Sequence, residues 1–251
     1  MKRNSKELKR IARENLQNKY SMPMLAFVAT GLITTLLNLP FMLLQMGSSN
    51  NIIMYLAELL ISIVGVLFTC GMYRIHLLLA RGKSVSIEDY LAPIKNQPDR
   101  YLVAQIIYIG IESLTFLPLN LGTSWATSDN VALAALSLPL TIGGAILAIY
   151  FTLTFAFFFL VLVDNETLTP VDVIKKSIAL IKGKKGSYFY LSLSFIGIEL
   201  LGVLSLGIAM LWIQPYFAQT LTLFYLDSKE ELDAIEYKKH NPEPTVIDQY
   251  V

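Results

Sequence analysis

Cysteine is almost missing from this chain: Cys70 is the only one, so an intramolecular disulfide framework is excluded. Charge is scarce as well, at 16% of 251 residues against the ~25% typical of soluble domains. Neither sign prevails: 20 Lys/Arg face 19 Asp/Glu for a net charge of +1, and without a global basic field nucleic acid is not an expected partner. The two histidines, His76 and His240, lie in different segments, and no His, Cys or Asp cluster has the spacing of metal ligands. No G-x-S-x-G or H-E-x-x-H occurs. The run GKKGS at 183–187 lacks both the upstream glycine and the strand of a phosphate loop, and reads as a helix stop with a basic flank. An enzymatic site, a cofactor and a metal are therefore not expected.

What the chain has instead is long apolar blocks. Apolar residues make up 54% of it, and a helix needs about 20 of them in succession to cross a ~30 Å hydrocarbon core. Residues 22–46, 52–80 and 101–117 each read as one span. The block 131–163 is overlong, so it is tilted or its Pro139 part lies in the outer interface. Block 188–226 is long enough for two spans, with a turn near Leu206 and Gly207 and a kink at Pro215. Residues 22–46 read as an uncleaved first span, because the block is longer than a signal core and no A-x-A site follows.

The basic residues divide the chain further. Residues 1–21 hold seven, 74–100 hold five, 164–187 hold five and the tail beyond Tyr225 holds three, which accounts for all twenty. The connections at 47–51 and 118–130 hold none. The positive-inside rule puts the four basic segments in the cytoplasm and the two bare ones outside. An even number of crossings must then separate successive basic segments. The expectation is an all-α, polytopic membrane helical bundle of about six transmembrane helices in three hairpins, with both termini cytoplasmic.

A short polar helix precedes each hairpin. Asn4 and Glu7 have capping-box spacing before the stripe Leu8, Ile11, Ala12 and Leu16. Ser86 and Asp89 open the second, with Ile87, Tyr90, Leu91 and Ile94 as its apolar face. Thr169 caps the third, Pro170 takes its first position, and Val171, Ile174, Ile178 and Ile181 form the stripe. The spans that follow align without a gap, Tyr101–Glu112 on Tyr188–Glu199, and IGIE at 109–112 recurs at 196–199. An internal repeat of basic helix plus hairpin follows, at about 1–80, 84–163 and 168–226, within a single integral-membrane domain 1–226. Residues 227–251 read as an acidic cytoplasmic tail, partly disordered.

Several local patterns carry a family resemblance. They are the stretch from Ser177 to Gly183, LSFIG at 193–197, LGI at 206–208, LW-x-x-PY at 211–216, and Phe224-Tyr225. With RNSKELKRIARENL at 3–16 and GMYRIHLLLARGKS at 71–84, the chain resembles an uncharacterised bacterial integral-membrane family, the domain of unknown function number 975. It is also distantly similar to the membrane domains fused to glycerophosphodiesterases, which carry no catalytic residues of their own. The resemblance implies a multi-pass protein of the bacterial inner membrane and no activity, substrate or cofactor. Glu199 stands where the resemblance implies an aromatic residue.

Two sets of residues are candidates for function. Glu58, Glu112 and Glu199 are carboxylates inside apolar spans, where an ionisable group is costly and marks a polar site by default. The alternative for each is a protonated side chain bonded to a neighbouring helix. Arg10, Arg13, Arg74, Arg81, Lys175, Lys176 and Lys182 are candidate contacts to lipid headgroups. The expected role is a non-enzymatic membrane-organising or accessory protein that contacts anionic lipid of the bilayer and admits a second copy or another membrane protein as partner. The rival is a small transporter or channel built on the three carboxylates.

Overall fold

The computed structural model describes residues 3–45 and 51–231, and the described residues are helical, with no strand among them. The basic opening segment forms α1 (Ser5–Leu16), capped by Asn4, whose Oδ1 accepts from the Glu7 N–H at 2.9 Å. Its expected stripe of Leu8, Ile11, Ala12 and Leu16 is buried. That stripe does not lie on lipid. Tyr216 donates to the Lys9 carbonyl (3.3 Å), and Lys9 donates to the carbonyl of Ser194 (2.7 Å) while sitting 4.0 Å from the Phe195 ring. This short basic helix is built into the protein.

Helices α2 (Ser21–Gln45) and α3 (Asn51–Ala80) form the first hairpin. The next surface helix, α4 (Ile87–Lys95), starts with the Ser86–Asp89 capping box. It docks on α3 at Gly71, where an added Cβ would lie 2.0 Å from the Tyr90 carbonyl oxygen, so only glycine permits the approach. Tyr90 then bonds Thr30 of α2 at 2.8 Å. Ile87, expected on the inner stripe, is exposed.

The second hairpin joins α5 (Pro98–Trp125) and α6 (Val131–Thr154) at backbone contact. A Cβ at Gly122 would come within 2.5 Å of the Thr141 nitrogen, and one at Gly144 within 2.3 Å of the Leu119 nitrogen. Small residues thus close this pair. The overlong block is resolved by a break at 155–157, after which α7 (Phe158–Asp164) continues. Phe151, Phe155, Phe158 and Phe159 gather around Tyr108 at the break, with ring centroids 4.6–5.7 Å from it.

Helix α8 (Pro170–Ile181) begins at the Thr169 cap, but its buried stripe is Val173, Ser177 and Ile181. The expected face is therefore rotated: Ile181 is buried, whereas Val171 and Ile178 point outward. The last two helices, α9 (Lys185–Leu204) and α10 (Met210–Ser228), reverse at Leu206 and Gly207, whose φ values are +53° and +89°. Glycine is the residue that takes such a conformation without strain.

Five helical segments among the described residues are long and apolar enough to cross a membrane, in Ser21–Pro40, Leu56–Ala80, Pro98–Trp125, Val131–Asp164 and Lys185–Leu204. Their flanks expose Leu36, Leu60, Leu114, Leu138, Ile146 and Leu200. So much contiguous apolar surface belongs to a protein solvated by lipid, and the chain is a polytopic helical membrane protein. The sixth span expected, α10, is absent from that set for a physical reason. From Ala218 to Ser228 every residue is buried by protein, so this helix carries Gln219, Thr220, Thr222 and Asp227 where a lipid-facing helix would carry leucine.

Candidate functional site

The four basic segments meet at one end of the molecule. Arg81, just past α3, donates through Nη2 to Asp164 Oδ1 at 2.6 Å and through Nε to Glu231 Oε1 at 2.8 Å. Lys229 reaches Asp164 Oδ2 at 2.6 Å and Glu231 Oε2 at 3.0 Å. Two cations and two anions therefore alternate around a closed ring that ties the ends of α3, α7 and α10. Tyr225 donates to Asp164 Oδ2 at 2.7 Å, Arg3 pairs with Asp227 at 3.0 Å, and Lys184 donates to the Ser228 carbonyl at 3.0 Å. The Asp164 side chain is only 4% exposed, a burial tolerable for a carboxylate because both of its oxygens are met by donors, two of them cationic. Burial alone would raise the Glu231 carboxyl, but the bonds from Arg81 and Lys229 outweigh it and hold it below the ordinary range.

Beside the ring, Arg100 donates to the carbonyls of Leu162, Asn165 and Leu168 and so neutralises the exposed carbonyl end of α7. Deeper in the protein, His76 is fully buried and its Nδ1 lies 2.8 Å from Gln219 Oε1, joining α3 to α10. His76 is thus a core residue.

A second polar region lies within the spans. Thr34 and Asn38 of α2, Glu58, Ser62 and Thr69 of α3, and Gln105 of α5 line a cavity of about 390 Å³ with Ile61, Val66 and Phe159 as its apolar walls. Positions 34 and 38, and 58, 62 and 69, repeat at helical spacing, so each helix offers one polar edge. Gln105 donates to Ser62 Oγ at 3.2 Å. Its Oε1 is buried without a hydrogen-bond partner, and the residue as a whole is 7% exposed. Glu58 is the only charged residue in the lining among the described residues.

The three expected carboxylates are not brought together. Glu58 lines the cavity; Glu112 on α5 and Glu199 on α9 are half-buried elsewhere. Thr34, Asn38, Ser62, Thr69 and Gln105 escaped sequence reasoning because isolated hydroxyls and amides are common in spans; the signal was their i, i+4 repetition opposite Glu58. The candidate headgroup residues also separate. Arg74 pairs with Glu166 (3.0 Å), Arg81 is in the ring, and Lys176 donates to Asn165 Oδ1 (2.6 Å). Arg10, although paired with Glu14 at 2.7 Å, is exposed, as are Arg13, Lys175 and Lys182. Among the described residues no three His, Cys, Asp or Glu side chains are grouped to hold a metal ion.

Comparison with known proteins gives one match and two blanks. No curated protein and no solved structure matches the chain. Residues 1–231 match the family described as "Protein of unknown function (DUF975)". That match spans the ten helices of the described residues, the ring and the cavity, and the chain belongs to this family.

Proposed function

We propose that the protein is a non-enzymatic organiser of membrane components, held against anionic lipid on the cytoplasmic side by the outward face of α8. One observation carries this reading. Val171, Lys175, Ile178 and Lys182 follow one another at i, i+4, i+7 and i+11, and all four face away from the protein, with Val171 48% and Ile178 39% exposed. The Lys175 side chain is 74% exposed. Alternating apolar and basic residues on an outward helical face match the boundary between acyl chains and anionic headgroups. Helix α1 differs, because Lys6, Arg10, Arg13 and Gln17 give its outer face charge without apolar residues. The positive-inside rule supports placing the ring end and both termini in the cytoplasm of a bacterial inner membrane. Carboxylates dispersed over three helices, with only Glu58 in the cavity, speak for an organiser over a transporter.

The test is lipid selection. Full-length protein in nanodiscs of equal phosphatidylglycerol and phosphatidylcholine is released for native mass spectrometry of retained lipid. At roughly 1 kcal/mol per cation near an anionic surface, Lys175→Gln with Lys182→Gln lowers phosphatidylglycerol retention by up to about thirty-fold. Retention of both lipids in proportion to their supply, or an unchanged preference in the double variant, overturns the reading.

A further inference from the structure

The polar groups of the intramembrane cavity combine one acid with acceptors that the protein leaves unmet. Thr34 spends its hydroxyl proton on the Thr30 carbonyl at 2.8 Å, and Asn38 donates its amide to the Thr34 carbonyl at 2.8 Å. Gln105 spends an N–H on Ser62. Thr34 Oγ1, Asn38 Oδ1, the Glu58 carboxyl and the unpartnered Gln105 Oε1 remain as acceptors, while the Ser62 and Thr69 hydroxyls and the second amide protons of Asn38 and Gln105 remain as donors. Among the described residues no Lys, Arg or His lines the cavity. An orphaned, nine-tenths buried amide oxygen, in a cavity whose acid meets no cation among the described lining residues, calls for a ligand that brings N–H donors and positive charge.

We propose that this cavity binds an amphiphilic primary ammonium. Its three N–H donors meet Glu58, Gln105 Oε1 and one of the α2 acceptors. Its stem lies along Ile61, Val66 and Phe159. A volume of about 390 Å³ is too large for a bare metal ion and falls in the range of small organic ligands. Thr34, Glu58 and Ser62 are exposed on the flank of the spans, so the ligand enters sideways from lipid. A primary ammonium reaches such a mouth either as the headgroup of a phospholipid or as a free amine.

Two arms separate those sources, with full-length protein in phosphatidylcholine nanodiscs. In the first, butylammonium and butyltrimethylammonium are titrated by calorimetry; they share charge and stem, but the second has no N–H. In the second, native mass spectrometry reads retained phosphatidylethanolamine against phosphatidylcholine from mixed nanodiscs. Preference for the N–H-bearing member by tenfold or more in either arm supports the proposal, and the arm showing it identifies the source. Glu58→Gln lowers that preference at least tenfold, and Gln105→Leu by about threefold, with circular dichroism and gel filtration confirming the fold. Asn38→Leu serves in place of Gln105→Leu if the latter does not fold. Equal binding of the two members in both arms, or a preference unchanged in Glu58→Gln, overturns the proposal, as does sodium binding that depends on Glu58 while neither ammonium binds.

Discussion

The α5–α6 and α9–α10 hairpins start from matching sequence and cohere by opposite means. Tyr101 and Ala104 of α5 and Tyr188 and Leu191 of α9 are buried at equivalent positions, and Phe195 repeats the inward aromatic of Tyr108. The partner helices then diverge. Helix α6 meets α5 backbone to backbone at Gly122 and Gly144 and turns apolar side chains outward. Helix α10 is wrapped by α1, α2, α3 and α9 and meets two of its buried hydroxyls within its own backbone: Thr220 and Thr222 bond carbonyls four residues back at 2.8 Å. What surrounds a helix, protein or lipid, decides how many polar side chains it can carry.

The contrast can be broken from either side. The largest effect falls on the ring that fixes the end of α10. Asp164→Leu leaves Arg81 and Lys229 with the more exposed Glu231 as their one remaining anion of the ring, and removing one partner of a buried charge pair costs about 3–5 kcal/mol. Thermal unfolding in detergent should fall steeply, with α10 losing hydrogen-exchange protection first; protection lost first in α5 and α6 would contradict the division. Gly144→Leu attacks the other hairpin and should cost about 1–3 kcal/mol by overpacking. Gly143→Leu is its control, since a Cβ there meets nothing within 4 Å and stability should hold. Equal losses from the two would mean that backbone contact is not what closes α5 on α6.

The smallest effect is on pH. The folded Glu231 carboxyl is depressed below its ordinary value of 4.5, so its contribution is complete above that value and disappears as pH falls through the folded one. Melting scans from pH 6 to 3 should show a loss at the acid end that is reduced in Glu231→Gln. A parallel acid dependence in both proteins would assign the loss to other carboxylates.

Much of this architecture could be read from residues alone. Asn4, the Ser86–Asp89 pair and Thr169 with Pro170 announced three helix starts, and Leu206 with Gly207 announced the turn. These signals are local, and local backbone chemistry resolves them. The grouping of basic segments foretold that positions as distant as Arg3, Arg81, Lys184 and Lys229 share one end. Amphipathic pattern failed to say what an apolar stripe would face. In α1 it faces protein, and in α8 the buried face is rotated onto Ser177, because a neighbour's shape enters no single-helix pattern. The site was legible only at Glu58. Thr34, Asn38 and Gln105 become a cavity through the relative rotation of three helices, which is a tertiary fact. The tail at 232–251 lies outside the described residues, so the disorder expected there has no structural counterpart.

The ring of Arg81, Asp164, Lys229 and Glu231 also imposes a schedule on biosynthesis. Its members leave the ribosome in that order, so Arg81 meets its first final partner only when Asp164 emerges, after the second hairpin has been made. The other anion of the ring and its second cation follow only with the end of α10. The ends of α3 and α7 can thus pair early, but the ring that locks them to α10 closes last.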